Sequence, residues 1–254
     1  MVIEMQDSPL IDVRMGKFTA DWAKARGLET IYQQQMGSTN DLAKEQAFNE
    51  TNFDQNIILY VTEHQSTGHG RNKNTWENAA AGTCLLSSWS FFMEDAPVPV
   101  TSPRTGLALF KAAMATWPFL PWSLKAPNDL YLGENKVAGL LLETITQGND
   151  VRFIIGLGMN ITTHSEKIEA ATSLVENLPK GVPMLGEDYI GFLDRLLFEF
   201  SLVIEKQGDA LNETEGASLV HALNLRLGET ETYTSVTADG TIKSNLRTIP
   251  WSSL

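Results

Sequence analysis

A run of apolar residues from Val137 to Leu142, opened by Lys136 and closed by Glu143, limits the possible folds of this chain more than any other segment. Val137, Ala138, Leu140, Leu141 and Leu142 gain most from a strand that leaves water on both faces. Just upstream, Leu124-Lys-Ala-Pro-Asn-Asp-Leu-Tyr131 sets a lysine and an Asn-Asp pair before a short turn at Gly133-Glu134. Lys136 therefore stands at the mouth of a buried strand. A lysine there either snorkels to solvent or holds an anion against an apolar floor.

Two further segments bear on that choice. In Gly37-Ser-Thr-Asn-Asp-Leu-Ala43, Ser38 and Thr39 fall between a strand ending near Tyr32 and a helix beginning near Asp41. Ser38 with Asp41 fits a helix cap, but a cap uses one hydroxyl, and Ser, Thr and Asn are consecutive here. Such groups at a helix N-terminus also read small polar ligands. The second segment, Thr62 to Trp76, follows the apolar strand Ile57-Ile-Leu-Tyr-Val61 and carries Gly68, Gly70, Arg71 and Lys73. It suits either an ordinary exposed hairpin loop or a cover over a phosphate-bearing ligand. Its glycine spacing matches neither a Walker loop nor a dinucleotide fingerprint.

Composition excludes several classes. A formal net charge of -12 over 254 residues argues against nucleic acid as a partner. No segment approaches ~18 uninterrupted apolar residues, so no membrane span is expected. The first eight residues carry neither the basic flank nor the apolar centre of a signal peptide. Cys84 is the single cysteine and cannot form an internal disulfide; a small buried thiol in a cytoplasmic protein is expected. His64, His69, His164 and His221 show no ligand spacing, so no structural metal is expected.

Along the chain, a helix near 15–27 leads to a strand near 32 and a helix from Asp41, with strands near 57–62 and 84–92. A helix from Arg104 to Trp117 carries Leu107, Phe110, Met114 and Trp117 as one core stripe. Strands follow near 122–126, 136–144 and 151–157, the last two joined by a Gly148-Asn-Asp150 hairpin. Tyr189 to Lys206 is an amphipathic helix, and Ala238-Asp-Gly-Thr-Ile242 is a turn between short strands. The pattern predicts an α/β (α+β) protein, a mixed sheet layered with helices.

Taken together, the motifs resemble the biotin protein ligases, biotin–[acetyl-CoA-carboxylase] ligases of the wider biotin/lipoate ligase superfamily, over roughly residues 30 to 180. The family's G-S-T-N stands at Gly37 to Asn40, and its Q-x-x-G-x-G-R at Gln65, Gly68, Gly70 and Arg71. Its K-W-P-N-D reads Lys125-Ala-Pro-Asn-Asp129, its K-x-A-G-x-L-x-E spans Lys136 to Glu143, and its G-x-G-x-N is Gly156-Leu-Gly-Met-Asn160. Ala171-Thr-Ser-Leu174 is a further family tetrapeptide. Three departures stand out: Ala126 replaces the family tryptophan, His69 and Asn74 replace arginines of the loop, and the C-terminal cap is shortened.

The resemblance implies ATP-dependent activation of biotin as biotinyl-5′-AMP, then transfer to a specific lysine of a biotin carboxyl carrier protein domain, with Mg²⁺ accompanying the nucleotide. By the same resemblance, Lys136, Arg71 and Asp129 are catalytic. Lys136 holds the biotin carboxylate and the phosphoryl oxygens, Arg71 the adenylate phosphate, and Asp129 accepts the proton of the incoming lysine. Ser38, Thr39, Asn40, Gln65, Gly68, Gly70 and Gly139 line the biotin site. Arg71, Trp76, Lys125, Asn128 and Asn160 serve the nucleotide, Trp76 stacking on adenine or walling the site, with core packing as its alternative. Arg226-Leu-Gly-Glu229 resembles the start of the SH3-like domain that ends these ligases. With about 30 residues after Asn224, an abbreviated C-terminal β-domain is expected at 223–254, after a catalytic domain at 1–222. No room for a DNA-binding helix-turn-helix is seen before residue 30, and a monomer or homodimer is expected. A lipoyl or octanoyl ligase and a non-catalytic biotin-binding homologue are the competing readings; the G-S-T-N and Q-x-x-G-x-G-R motifs favour biotin, and Lys136 with Arg71 favours an enzyme.

Overall fold

The computed structural model describes residues 10, 13–50, 52 and 55–254. The opening residues weighed for a signal peptide lie outside that set, as does the side chain of Lys73. In chain order the elements are α1 (Met15–Ala25), β1 (Glu29–Gln33), α2 (Thr39–Glu45), β2 (Ile57–Thr62), β3 (Cys84–Met93), α3 (Thr101–Thr116), β4 (Trp122–Lys125) and β5 (Asp129–Leu132). They continue as β6 (Asn135–Gln147), β7 (Asp150–Asn160), α4 (Leu174–Asn177), α5 (Gly186–Glu205), α6 (Glu213–Asn224), β8 (Tyr233–Val236), β9 (Thr241–Ser244) and β10 (Thr248–Pro250). The chain forms two compact units, Met1–Ala96 with Val137–Ile190, and Pro97–Lys136 with Gly191–Leu254.

In the first unit β1, β2, β3, β7 and β6 are neighbours in that order. β1 and β2 run parallel and the other pairs antiparallel, giving the expected mixed sheet. β3 and β7 hold central positions and are buried along nearly their whole length, so neither shows the polar alternation of a one-sided strand. β6 departs from the expectation of burial throughout. Val137, Ala138 and Leu140 are buried, but Leu141 and Leu142 are half-buried and residues 146–147 are exposed. Its far half is covered on one side only. α1 packs Trp22 against Trp89 of β3, ring centres 6.0 Å apart, and Phe18 against Tyr189 at 5.6 Å. α2 is seated through Ala43, which is fully buried with Ile58, Tyr60 and Ile154.

The N-terminus of α1 is held by a side chain that no local pattern announces. Glu63, 1% exposed, accepts the amides of Gly16 (3.0 Å) and Lys17 (2.8 Å) and the hydroxyl of Tyr32 (2.7 Å). A carboxylate at a helix N-terminus satisfies orphan donors and complements the helix dipole. Burial and the neighbouring Glu63 push the Tyr32 phenol up to about 12. Gly16 is required by the close approach, since a Cβ there would lie 2.7 Å from the Thr62 carbonyl oxygen.

In the second unit α3 starts at Thr101, three residues before the expected Arg104. Pro103 sits in the first turn, where a missing N–H leaves no bond unmade. Leu107, Phe110 and Trp117 of the expected stripe are buried and Met114 is half-buried. Trp117 packs against Phe192 of α5 (5.3 Å) and Trp122 of β4 (6.3 Å). α6 is capped by a reciprocal Asn212–Glu215 box and approaches β8 so closely that a Cβ on Gly216 would stand 2.8 Å from the Val236 carbonyl oxygen. β8, β9 and β10 form a small antiparallel sheet, turning at Gly240 with φ +82°. Among the described residues no helix is long and apolar enough to cross a membrane.

Candidate functional site

Backbone bonds join the two biotin-type motifs of the first unit before any side chain acts. Met36 donates to the His64 carbonyl (3.0 Å), Ser66 to Met36 (2.9 Å) and Thr67 to Gly37 (2.9 Å). This sets the start of α2 beside Gln65. Ser38 caps α2, its hydroxyl accepting the Asp41 amide at 3.3 Å, so the capping reading holds for that residue. Thr39 does other work: its amide and hydroxyl both donate to Gln65 Oε1, at 2.8 and 3.2 Å. The Ser88 hydroxyl, from β3, is shared between Thr39 Oγ1 (2.8 Å) and Asn40 Oδ1.

Asn40 extends the network to β6. Its amide nitrogen donates to the Leu141 carbonyl (3.3 Å) and to Glu143 Oε2 (2.7 Å). Glu143 also accepts from Lys44 (2.8 Å), which pairs with Asp41 at 2.9 Å. Burial opposes the Lys44 ammonium, but its bonds to Glu143 and Asp41 outweigh that and raise its pKa. Gly156, facing Leu141 across the ladder, leaves room for the Asn40 amide; any Cβ there would collide with it. Sequence reasoning assigned no role to Ser88 or Lys44. Ser88 lay in an apolar strand-like run, and only its register opposite Tyr60 and Gly156 marks it.

The loop after β2 folds back on itself. Trp76 donates its amide to Gly68 (2.9 Å) and Gly70 to Asn74 (2.7 Å), enclosing a single 3-10 turn at Arg71–Lys73. Asn72 sits there at φ 55°, a left-handed conformation asparagine tolerates. Asn78 clamps the Gln65 backbone through its carbonyl at 2.6 Å. Gly139 and Gly158 are partners across β6 and β7, and the Trp76 indole lies over Gly158, where a Cβ would come within 2.7 Å of the ring. That contact is packing within the first unit, and the Trp76 ring N–H is buried without a partner. Arg71 is half-buried. His69 Nε2 is 3.7 Å from Asp41 Oδ1. Asn160 is engaged at both ends of its amide, donating to the Thr172 carbonyl (3.0 Å) and accepting from the Cys84 thiol (3.5 Å). Burial pushes that thiol's pKa up, so Cys84 is an inert core group.

In the second unit β4 and β5 form a hairpin in which Lys125 and Asp129 are register partners. The loop between them contains a cis Ala126–Pro127 bond. Asp129 Oδ1 stands 2.7 Å from Lys136 Nζ, the side chains 20% and 34% exposed. The two residues expected to handle the carboxylate and the proton are thus a contact pair. Lys125 is exposed and lies 5.8 Å over the Tyr131 ring; Asn128 is half-buried.

The family model for the Biotin/lipoate A/B protein ligase family matches residues 32–160, just over half of the chain. The chain belongs to the biotin/lipoate A/B protein ligase family. Among its relatives, biotin–protein ligase 1, chloroplastic, of Arabidopsis thaliana is 27% identical over 205 residues, 76% of this chain and 53% of that protein. The biotin–[acetyl-CoA-carboxylase] ligase of Mycobacterium tuberculosis is 32% identical over 149 residues, 56% of this chain and 53% of that protein. The chain therefore spans about half the length of these curated relatives. The solved biotin protein ligase from Aquifex aeolicus in complex with biotin and ATP matches with a TM-score of 0.63 at 24% identity, over 86% of this chain and 96% of that one. That likeness is one of fold, and it agrees with the mixed sheet and the small C-terminal sheet.

Proposed function

We propose that this protein activates biotin with ATP and transfers it to a specific lysine of a biotin carboxyl carrier protein. The observation that carries the reading is the Lys136–Asp129 pair: an ammonium already held against a carboxylate oxygen, yet open enough to exchange it. In the first step a biotin carboxylate oxygen attacks the α-phosphorus of ATP and the bond to pyrophosphate breaks. Both reactants are anions, so charge neutralisation and positioning must supply the rate. Lys136 takes that role by releasing Asp129 for the substrate, and Arg71 holds the α-phosphate with the Gly68 and Gly70 backbone. Ser38, Thr39, Asn40 and Gln65 address the ureido head, Gly139 admits the ligand close to the backbone, and Trp76, Lys125, Asn128 and Asn160 serve the nucleotide.

In the second step the carrier lysine attacks the acyl carbon of the mixed anhydride and AMP leaves. That amine is protonated at neutral pH, and Asp129, freed from Lys136, receives its proton. Mg²⁺ is proposed to arrive with ATP, held chiefly by phosphate oxygens and water; among the described residues no three acidic, histidine or cysteine side chains converge as a separate cage. Biotin-dependent ATP–pyrophosphate exchange, followed by labelled transfer to a carrier domain, tests the reading. Exchange driven by lipoate or octanoate but not biotin would overturn it.

Thr39→Val separates ligand reading from stability. The Thr39 amide bond to Gln65 survives, so the fold should lose only about 1 kcal/mol, whereas biotin affinity should drop by roughly tenfold. Titration calorimetry beside thermal melting decides, and unchanged affinity with a lowered melting temperature would leave Thr39 a purely structural residue.

Arg71→Gly addresses retention of the intermediate. The variant should still form biotinyl-5′-AMP but release it at least tenfold faster, since a charge-assisted contact contributes about 1.5–3 kcal/mol. The off-rate of preformed adenylate is the measurement, and equal rates for wild type and variant would remove Arg71 from that role.

A further inference from the structure

The motif loop between β4 and β5 is tied to the far end of the chain. Trp251 donates its ring N–H to the Pro127 carbonyl at 2.9 Å, across 124 residues of sequence. Trp251 is 3% exposed and begins a 3-10 turn, with its own amide bonded to the Gly240 carbonyl at 3.1 Å. Gly240 in turn packs on α3, a Cβ there falling 3.3 Å from Val100. One more contact braces the same hairpin, the Arg226 guanidinium lying 4.2 Å over Tyr131, and Gly228 abuts Glu134 in the turn that follows β5.

The bonded atom is informative. Proline has no N–H, so the carbonyl is the only polar handle Pro127 offers. That oxygen shares a rigid peptide plane with the Asn128 nitrogen. Fixing the oxygen therefore fixes the direction in which the chain enters Asn128 and Asp129. Burial of the indole explains the ring, but a phenyl would serve that purpose equally. The N–H adds orientation.

We infer that Trp251 is a positioning residue for the adenylation reaction, setting the nucleotide-serving Asn128 through the Pro127 carbonyl. This rests on the ligase reading above. Trp251→Phe keeps an aromatic ring and deletes the donor. In the full chain it should speed amide hydrogen exchange over residues 126–129 and raise the KM for ATP roughly three- to tenfold, the equivalent of one net hydrogen bond. Biotin affinity by calorimetry should match wild type. Trp251→Leu, which lacks the donor and packs less well, should raise that KM no further than Phe does if orientation is what matters.

A Trp251→Phe protein with wild-type exchange at 126–129, or with a wild-type KM for ATP, would overturn the inference. So would parallel losses of ATP KM, biotin affinity and melting temperature, which would mark Trp251 as core packing alone. A wild-type chain without biotin-dependent pyrophosphate exchange would instead overturn the ligase reading, a result distinct from an active and unaltered Trp251→Phe.

Discussion

Lys136→Ala is expected to lose biotin-dependent pyrophosphate exchange by roughly 10²–10³-fold, the loss seen when one preorganised charge-stabilising donor is removed. The fold should survive. Lys136 and Asp129 are both partly open to solvent, and an exposed pair contributes only about 0–1 kcal/mol. Melting temperature should move little while the rate collapses, a separation that few core substitutions produce. Asp129→Asn sharpens the assignment. It removes the proton acceptor of the transfer step but leaves the ammonium, so adenylation should persist while labelling of the carrier slows. Full exchange activity in Lys136→Ala would remove that residue from the mechanism.

Arg104→Ala should produce the largest loss of stability, about 3–5 kcal/mol, because it takes the buried guanidinium from Glu215, leaving that carboxylate to Lys206 and the Asn212 amide, and removes the donor that three carbonyls share. Arg104 is buried and meets Glu215 through Nε (3.0 Å) and Nη2 (3.3 Å); Nη1 reaches the Lys206 carbonyl (3.2 Å), and Nη2 also lies within reach of the carbonyls of Asp209 (3.2 Å) and Ala210 (3.0 Å). One guanidinium thereby joins α3, the residues following α5 and the first turn of α6. A lysine has one head group and no fork, so Arg104→Lys should recover little. The pair also sets an acid limit. Burial opposes the Glu215 carboxylate, but bonds from Arg104, the Asn212 amide and Lys206 outweigh it and hold its pKa at about 2. A depressed folded pKa means the contribution is complete above the unfolded value near 4.5 and is lost as pH falls from there toward 2. Urea unfolding at pH 7 and pH 3 should show a marked fall for wild type and a smaller one for Arg104→Ala; equal pH dependence in both would refute the coupling.

Elements with strong periodicity or unbroken apolar character were legible in the sequence: β2, β3, β6, β7, α3 and α5 lie close to where they were expected. β5 was hidden because Asp129-Leu-Tyr-Leu132 reads first as a motif and its turn. α6 was missed although Asn212 and Glu215 spell a capping box, because Gly216 and Ser218 weaken its helical pattern. Gly216 is explained by contact with β8, which no local rule contains. The same holds for Glu63, whose partners on α1 lie 46 and 47 residues away. For the candidate site, the residue types and order were readable, but the division of labour was not. Ser38 and Thr39 look equivalent on paper; one caps a helix and the other binds Gln65, a difference set by tertiary placement.

The Ser88 hydroxyl carries a single proton and faces two oxygens, Thr39 Oγ1 and Asn40 Oδ1. At any instant one of them goes unserved. Thr39 sends its own hydroxyl proton to Gln65, and the Asn40 nitrogen is committed to Leu141 and Glu143. This corner of the first unit therefore holds more lone pairs than hydrogens to fill them. On the ligase reading proposed above, a ligand that brings N–H groups to this corner would be served better than one that brings only carbonyls. Replacing Ser88 by alanine would take away the one hydrogen that Thr39 Oγ1 and Asn40 Oδ1 share while leaving every backbone bond of β3 in place.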